Sequence, residues 1–233
     1  MASASRASRA SAELGTILEA AARGTFPPPD GAITVVPQPG HRDAGVIAFT
    51  AHSVVFTDED PAWVRATLAA LDCDPLAAAM NARFHAALTD RTGRTTDTID
   101  LLTAATARPG TPDPRLELRE LDDPDHPRVA RAREHRDDVR VWTSAGGGVL
   151  ITGRGVAGRW ETAVEVEEDA RHRGLGRALA GAARHLVPDG DVVWAQQAPG
   201  NARAVRAFQA AGYRPVGSEA LFVPPRQGAL STR

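Results

Sequence analysis

The residues best suited to chemistry lie at positions 171–176, which read Arg-His-Arg-Gly-Leu-Gly. An alternating apolar and polar run at 160–167 precedes them and predicts a strand, while residues 174–186 carry apolar side chains at helical spacing. A strand that enters a helix through a glycine-rich turn leaves several backbone N–H groups unpaired at the helix start. These groups, the positive end of the helix dipole and the arginines all favour a negatively charged ligand. The turn is therefore predicted to bind an anion.

A second helix with a polar first residue follows the next predicted strand, at 192–195. Asn201 begins this helix, Val205, Phe208 and Ala211 share one face, and Gly212 stands where a left-handed C-terminal cap is expected. Two short strands, at 213–216 and 221–223, are predicted after it. The order is therefore strand, helix, strand, helix, strand, strand.

Another glycine motif, at 153–158, reads Gly-Arg-Gly-Val-Ala-Gly and matches the pattern of dinucleotide-binding folds. Such folds need a helix directly after the glycines. The residues that follow instead alternate with a period of two, which is typical of a strand. These glycines are therefore predicted to form a hairpin loop and not a nucleotide site.

Together, the turn and the second helix resemble the motifs of the GCN5-related N-acetyltransferase (GNAT) family. The family pattern Q/R-x-x-G-x-G/A stands at 171–176, and N-x-x-A-[IV]-x-x-[YF]-x-x-x-G-[FY] stands at 201–213. The resemblance covers about residues 116–223 and implies a mixed α/β sheet of the acyl-CoA N-acyltransferase type. It also implies an acetyl-CoA-dependent N-acetyltransferase, in which a primary amine attacks the thioester directly in a ternary complex.

The resemblance assigns acetyl-CoA, as co-substrate, to the residues around the turn. Backbone N–H groups at 172–177 would bind the pyrophosphate, which the glycines allow to approach closely. The preceding strand would pair with the pantetheine amides and diverge from the next strand to make room for the thioester. The residues implied in this binding are Val164, Val166, Arg171, His172, Arg173, Gly174, Leu175, Gly176, Arg177, Asn201 and Phe208.

Phe208 fits the written pattern, but many members of the family have a tyrosine at this position that can protonate the leaving thiolate. Phenylalanine has no proton to donate. Either water or another group supplies the proton, or the domain is a non-catalytic acyl-CoA-binding sensor or interaction protein. Tyr213, the only tyrosine, follows the glycine of the second motif and is expected to be packed.

Three glutamates share one face of the predicted strand at 160–167, namely Glu161, Glu165 and Glu167. Clustered carboxylates raise one another's pKa, and one of them could accept the proton of the acceptor amine or attract its cationic form. Glu165 is the first candidate for the catalytic base and Glu167 the second. The alternative interpretation is a solvent-facing strand edge.

Structural interpretations of the other site residues also stay open. Arg171 and Arg173 could be solvated surface charges. Asn201 is a good helix N-cap with or without a ligand. Phe208 lies on the apolar face of its helix and could belong to the core.

The proline-rich stretch at 109–114 is the clearest predicted domain boundary. It separates a smaller N-terminal α/β domain at 13–108 from the acetyltransferase domain at 115–224. The Ser-, Arg- and Ala-rich residues 1–12 are predicted to be a disordered tail, and residues 225–233 a second tail. The role of the N-terminal domain is open: it could complete the second domain, be a diverged copy of it, select substrate or dimerise.

Composition restricts the function further. The formal net charge of −2 argues against general nucleic-acid binding, and the absence of lysine excludes a lysine nucleophile. The single cysteine, Cys73, fits a reducing cytoplasm, and the alanine- and arginine-rich composition a bacterial source. The sequence predicts no metal site and no membrane segment. The expected partner is a small-molecule or peptide amine acceptor, and a homodimer is a further expectation.

Overall fold

The computed structural model describes residues 2–123 and 125–225. Within these ranges the chain forms six α-helices and ten β-strands, which confirms the predicted mixed α/β class. The helices are α1 (Ala2–Ala22), α2 (Pro61–Ala69), α3 (Ala82–Thr92), α4 (Pro127–His135), α5 (Leu175–Ala183) and α6 (Ala202–Ala210). The strands are β1 (Ile33–Val36), β2 (Ala44–Phe49), β3 (His52–Phe56), β4 (Ile99–Thr106), β5 (Arg119–Glu120), β6 (Asp137–Ser144), β7 (Gly148–Arg154), β8 (Trp160–Val166), β9 (Val192–Gln197) and β10 (Arg214–Phe222).

The chain divides into two compact units. One comprises Met1–Asp100 with Gly217–Arg233, and the other comprises Leu101–Val216. The sequence predicts a boundary at 109–114, but the division falls within β4, because residues 101–106 of that strand pair with β9. Residues 218–222 of β10 pair with β2 and therefore lie in the first unit. The structural units thus differ from the predicted domains 13–108 and 115–224.

In the first unit the strands lie in the order β1-β3-β2-β10. Strand β1 is parallel to β3, while β2 pairs antiparallel with both β3 and β10. Helices α2 and α3 contribute Val64, Leu68, Phe84 and Leu88 to a buried cluster that also contains Phe222. The α2 helix begins as predicted, with Asp60 as its N-cap and Pro61 as its first residue.

Helix α1 begins at Ala2, so residues 2–12, predicted to be a disordered tail, are helical. Neither glycine nor proline occurs in this stretch, and alanine and arginine are strong helix formers. Of the predicted tail at 225–233, residues 226–233 lie outside the described ranges. The two short strands predicted at 213–216 and 221–223 form the single strand β10. Gly217 lies within this strand and close to β2, where a Cβ would overlap the Ala48 carbonyl. The absence of a side chain at Gly217 therefore lets the strand run on without a break.

In the second unit the strands lie in the order β4-β9-β8-β7-β6-β5. Alternate residues of β6 and β7 point to opposite faces, as the period of a strand requires. Val141 and Val149 pack in one cluster with Val129 of α4. Their neighbours Trp142 and Leu150 pack in another cluster with Leu179 of α5. The unit therefore has a helix on each face of its sheet.

One carboxylate of the first unit has a pKa far from its usual value. Burial raises the pKa of Asp100 to about 6, and the negative charge of Glu219 adds to the effect. Because the usual value is 3.8, the native state holds more protons than the unfolded state between pH 3.8 and about 6. The contribution of Asp100 to the free energy of unfolding therefore falls as pH rises from 3.8 to about 6.

We expect Asp100→Asn to stabilise the protein at pH 8 by about 1 kcal/mol, after allowance for the partial exposure of the carboxylate. The gain should disappear at about pH 3, which is below the usual pKa of 3.8, because Asp100 is then mostly protonated in both states. Urea unfolding at the two pH values measures this, with the exposed Asp97→Asn as control. An equal change at both pH values would contradict the prediction.

Candidate functional site

Strands β8 and β9 are paired only where they begin. The parallel pairs Trp160↔Val193 and Glu161↔Trp194 are the ones they share in the described part of the chain. Strand β8 continues to pair with β7 as far as Val166, and β9 pairs with β4 along its whole length. Within residues 2–123 and 125–225, residues 162–166 of β8 therefore have an edge without a strand partner, and the sheet opens into a fork between β8 and β9.

Glu161 lies at the base of this fork and is almost completely buried, with 4% of its surface exposed. Its carboxylate accepts hydrogen bonds from Arg159 Nε at 2.9 Å and from Gln196 Nε2 of β9 at 3.1 Å. The Nε atom of Arg136 lies 3.1 Å from the other carboxylate oxygen. A Cβ at Gly155 would overlap this carboxylate, so the glycine makes room for it.

These contacts change the interpretation of Glu161. Burial alone would raise its pKa, but the charges of Arg159 and Arg136, with the two hydrogen bonds, outweigh burial and lower the pKa. The expectation that clustered carboxylates raise this pKa is therefore wrong, because Glu161 lies among cations. Glu161 joins β8 to β9 and is not placed to act as a base.

The glycine motif at 153–158 is the β7–β8 connection, as predicted. It forms a turn between Arg154, the last residue of β7, and Trp160, the first of β8. No helix of the dinucleotide type follows, since β8 starts directly after the turn.

Helix α5 begins at the predicted anion-binding turn. Gly174 is its N-cap in the left-handed region, with φ of 83°, and has no side chain that could cap the helix. The first internal helical hydrogen bond runs from the Ala178 N–H to the Gly174 carbonyl, so the preceding N–H groups point out of the helix end. His172 is also left-handed, with φ of 66°. The local geometry is that of an anion-binding helix N-terminus.

Gly176 faces the gap between β8 and α6. A Cβ built on it would lie 3.6 Å from Val166 Cγ2 and 3.9 Å from Ala207 Cβ. Both atoms would be in ordinary van der Waals contact with this Cβ. A side chain larger than that of alanine at position 176 would therefore fill the gap. The absence of a side chain keeps this gap open.

Most of the predicted site residues line one cleft of about 700 Å³. They come from β8, the turn, α5 and α6, and they are Val164, Glu165, Val166, Arg171, His172, Gly174, Leu175, Gly176, Arg177, Asn201 and Phe208. Arg173 and Glu167, which the sequence also predicts as site residues, are not among the lining residues. The volume is that of a small-molecule site.

Five lining residues were not predicted: Ala170, Arg203, Ala204, Arg206 and Ala207. Four of them lie on α6, and their signal was available in the sequence. Ala204 is three residues after Asn201 and four before Phe208, so helical spacing places all three on one side. Apart from Asn201 at its start, the sequence prediction considered only the apolar face of this helix.

The cleft is strongly cationic. Arg171, Arg177, Arg203 and Arg206 line it, with Glu165 as the carboxylate among its lining residues. Arg171 also donates from Nε to the Val166 carbonyl at 3.3 Å, which joins the turn to the end of β8. The charge balance favours a ligand that carries several negative charges.

Glu165, the first candidate base, contacts Arg128 of α4 through an oxygen 2.7 Å from Nη1. Its side chain is 56% exposed. Glu165 therefore lies at the wall of the cleft and is paired with a cation that the sequence prediction did not include. Glu167 lies beyond the end of β8, where its N–H donates to the Gly147 carbonyl.

Phe208 and Tyr213 form an edge-to-face aromatic pair, with ring centroids 4.9 Å apart. Both side chains are buried, and the Tyr213 hydroxyl donates to the Ala180 carbonyl at 3.2 Å. Burial raises the pKa of Tyr213. The only tyrosine of the chain is thus engaged in the core, and Phe208 both packs in the core and lines the cleft.

Asn201 caps α6, because its side-chain oxygen accepts from the Ala204 N–H at 3.1 Å. The capping interpretation is therefore correct, and the same residue also lines the cleft. The two roles are compatible, since the side-chain NH₂ group can still donate to a ligand.

Two further properties concern the described residues only. None of their helices combines the length and the apolar character that crossing a bilayer requires. No group of three or more His, Cys, Asp and Glu side chains in these ranges is arranged to hold a metal ion.

No family model matches the chain, and no curated protein matches it. The chain is similar to a solved GCN5-related N-acetyltransferase from Kribbella flavida, with 17% identity and a TM-score of 0.40, over 61% of this chain and 64% of that one. It is also similar to a structure described as an acetyltransferase of the GNAT family from Novosphingobium aromaticivorans, with 18% identity and a TM-score of 0.37, over 56% of this chain and 66% of that one. The chain therefore spans less than two thirds of either protein.

Both of these proteins carry the name of the family that the two sequence motifs resemble.

Proposed function

We propose that the second unit is an acetyl-CoA-dependent N-acetyltransferase that moves the acetyl group to a primary amine. One observation carries the proposal: the fork between β8 and β9 and the exposed N-terminus of α5 open into one cationic cleft. A helix N-terminus of this kind favours the binding of a diphosphate. An extended amide-containing arm needs a strand edge such as that of residues 162–166.

The lining residues fit the parts of acetyl-CoA. The N–H groups at the start of α5 and the guanidinium groups of Arg171 and Arg177 would bind the pyrophosphate. The free edge of β8 would hydrogen-bond the pantetheine amides, and the Asn201 amide would bind the same arm. This arrangement leads the thioester toward the fork.

In the reaction, the neutral amine nitrogen attacks the thioester carbon, the carbon–sulfur bond breaks, and coenzyme A leaves as a thiolate. The amine must lose a proton and the thiolate gains one. Glu165 is the proposed proton acceptor because it is the carboxylate on the cleft wall. Glu167 remains the second candidate, and water would protonate the thiolate because Phe208 has no proton to donate.

A second candidate function, the binding of acyl-CoA without acyl transfer, is suggested by the aromatic pair of Phe208 and Tyr213. Phe208 stands where a proton donor would be useful, and the Tyr213 hydroxyl is bonded to a backbone carbonyl. A cleft without an acidic hydroxyl suits a protein that binds acyl-CoA without transferring the acyl group. Such a protein would be a sensor or interaction protein, so binding and turnover must be measured separately.

Titration calorimetry with acetyl-CoA tests binding, and we expect saturable binding below high micromolar concentration. Thiol release across a panel of small-molecule and peptide amines tests transfer, and turnover with any amine would exclude the sensor. Phe208→Tyr is expected to increase thiol release if proton donation limits the rate, by up to about 100-fold. Absence of acetyl-CoA binding would contradict both functions.

A cytoplasmic location, a homodimer and the identity of the acceptor stay predictions.

A further inference from the structure

Three side chains of the first unit form a chain of hydrogen bonds that acetyl transfer does not use. Asp30 precedes β1, Thr34 lies in β1, and His52 is the first residue of β3. The distance from Asp30 Oδ1 to His52 Nδ1 is 2.9 Å, and the distance from His52 Nε2 to Thr34 Oγ1 is also 2.9 Å. The imidazole is buried, and both of its ring nitrogens take part in this chain.

The ionisation of Asp30 determines the direction of these hydrogen bonds. The Ala32 N–H donates to Asp30 Oδ1 at 2.9 Å. This bond and the one from the His52 ring lower the pKa of Asp30, so at neutral pH the carboxylate is ionised and accepts from Nδ1–H. In the neutral imidazole Nε2 is then an acceptor, and the Thr34 hydroxyl donates to it. A hydroxyl bonded in this way to a carboxylate-bound imidazole is arranged to become a nucleophile.

Backbone hydrogen bonds hold the three side chains in place. The Gly31 N–H donates to the Ala51 carbonyl at 2.8 Å, and the Ser53 N–H donates to the Ala32 carbonyl at 3.2 Å. These bonds join the segment before β1 to the two residues that flank His52. Ala51 is left-handed, with φ of 52°, in the two-residue turn between β2 and β3. The reacting groups are therefore aligned before a substrate arrives.

Thr34 lies in a strand at the edge of its sheet and is partly exposed. In the part of the chain that the structure describes, β1 has β3 as a strand partner on one side and no strand on the other. The Ala32 and Val36 carbonyls accept from β3, so the backbone groups of Val35, which alternate with them, point to the open edge. The Val35 N–H directly follows Thr34 and is thereby available to a developing oxyanion.

An exposed aromatic ring lies near the imidazole. Phe49 is paired with His52 across the β2–β3 hairpin, so the two side chains point to the same face. Phe26 packs edge-to-face on Phe49, with ring centroids 6.2 Å apart, and 45% of its surface is exposed. Such a ring can contact the apolar part of a small ester.

From these observations we propose that the first unit contains an esterase site for small apolar esters, with Thr34 as nucleophile and His52 as general base. The Thr34 oxygen attacks the ester carbonyl carbon, and its proton passes to His52 Nε2. The bond from this carbon to the leaving oxygen breaks, and that oxygen takes the proton. Water then attacks the acyl-threonine through His52, which returns a proton to Thr34 and releases the carboxylic acid. Asp30 is a positioning residue.

The experiment supplies p-nitrophenyl acetate to the full chain in the absence of acetyl-CoA. We expect p-nitrophenol release and an acetyl group on Thr34, which peptide mass spectrometry locates. Thr34→Val should abolish this acetylation and lower the release rate by about 100-fold or more. Thr92→Val is the matched control and should react like the wild-type protein, because the Thr92 hydroxyl donates to the Leu88 carbonyl.

Asp30→Asn tests the positioning role. The amide keeps the shape of the side chain but removes the charge that stabilises the imidazolium formed during proton transfer. Release should fall by about tenfold or more, with the loss in kcat and not in KM, because Asp30 does not touch the ester. A loss confined to KM would contradict this role. Urea unfolding shows whether each variant is folded.

Two results overturn the esterase site. One is equal release by the wild-type protein and Thr34→Val. The other is an acetyl group on His52 with Thr34 unmodified, because the ring would then be the nucleophile. The acetylation site of the wild-type protein decides this even where a variant does not fold. The proposal does not rest on the acetyl-CoA site, since calorimetry with acetyl-CoA tests that site separately.

Discussion

Gly176→Val is expected to weaken acetyl-CoA binding by about 100-fold or more, which corresponds to about 3 kcal/mol. The reason is the position of Gly176 between β8 and α6, where a Cβ would lie 3.6 Å from Val166 Cγ2 and 3.9 Å from Ala207 Cβ. The branched valine side chain would fill the gap and shield the N–H groups at the start of α5. Phosphate approach to the backbone would then be blocked.

The same substitution should change the free energy of unfolding by less than about 1 kcal/mol. Glycine is unfavourable in a helix, so the gain in helix propensity offsets contacts made too tightly in the gap. Calorimetric titration gives the affinity and urea unfolding gives the stability. Gly176→Ala should show an intermediate loss of affinity, because a single methyl group fits at these distances.

Gly40→Val is the control, since Gly40 belongs to the first unit and a Cβ there meets no atom within 4 Å. It should bind acetyl-CoA like the wild-type protein. If Gly176→Val also kept its affinity and remained folded, the phosphates would not lie at this turn, and the proposed placement of acetyl-CoA would be wrong.

Features set by local spacing were predictable from the sequence. The start of α5 directly after Gly174 follows from a glycine that precedes a helical apolar pattern. Asn201 at the N-cap of α6 and the hairpin loop at 153–158 follow in the same way. Each depends on residues within one or two turns of the chain, so the pattern contains the needed information.

Features that depend on distant residues were not predictable. The pairing of β4 with β9 joins residues about ninety positions apart, and the proline-rich stretch between them suggested a boundary instead. The alternation of β8 identifies one face but does not distinguish Glu161, which is buried among arginines, from Glu165, which is 56% exposed. That difference arises from Arg136 and Gln196, which reach Glu161 from other elements.

The role of Glu161 also shows how the fork is held in place. Its pair with Trp194 is the last one before the strands separate, and Gln196, two residues further along β9, reaches back to the Glu161 carboxylate. The burial of the charged Glu161 carboxylate costs free energy unless opposite charges lie close to it. The two guanidinium groups supply the compensation, so removal of the negative charge would leave them close together in a dry environment.

Glu161→Gln is therefore expected to destabilise the protein by about 3–5 kcal/mol, the usual cost of breaking a buried ion pair. Urea unfolding at pH 7 measures this cost. Glu120→Gln is the matched control, because Glu120 also makes two hydrogen bonds with one arginine, Arg140, at 2.7 Å each. The Glu120 pair is about half exposed, so its loss should cost no more than about 1 kcal/mol. Equal costs for the two variants would contradict the role of Glu161 at the fork.

The pH dependence of the same variants provides an independent check. The pKa of Glu161 is lower in the native state than its usual value of 4.5, so its contribution is fully present above pH 4.5 and is lost as pH falls through the native pKa. The stability difference between wild type and Glu161→Gln should therefore shrink at acidic pH. If the difference were the same at pH 7 and pH 3, the cost would come from packing and not from charge. Acetyl-CoA affinity of the variant, measured where it is still folded, then reports whether the fork must be held at its base for the cleft to bind.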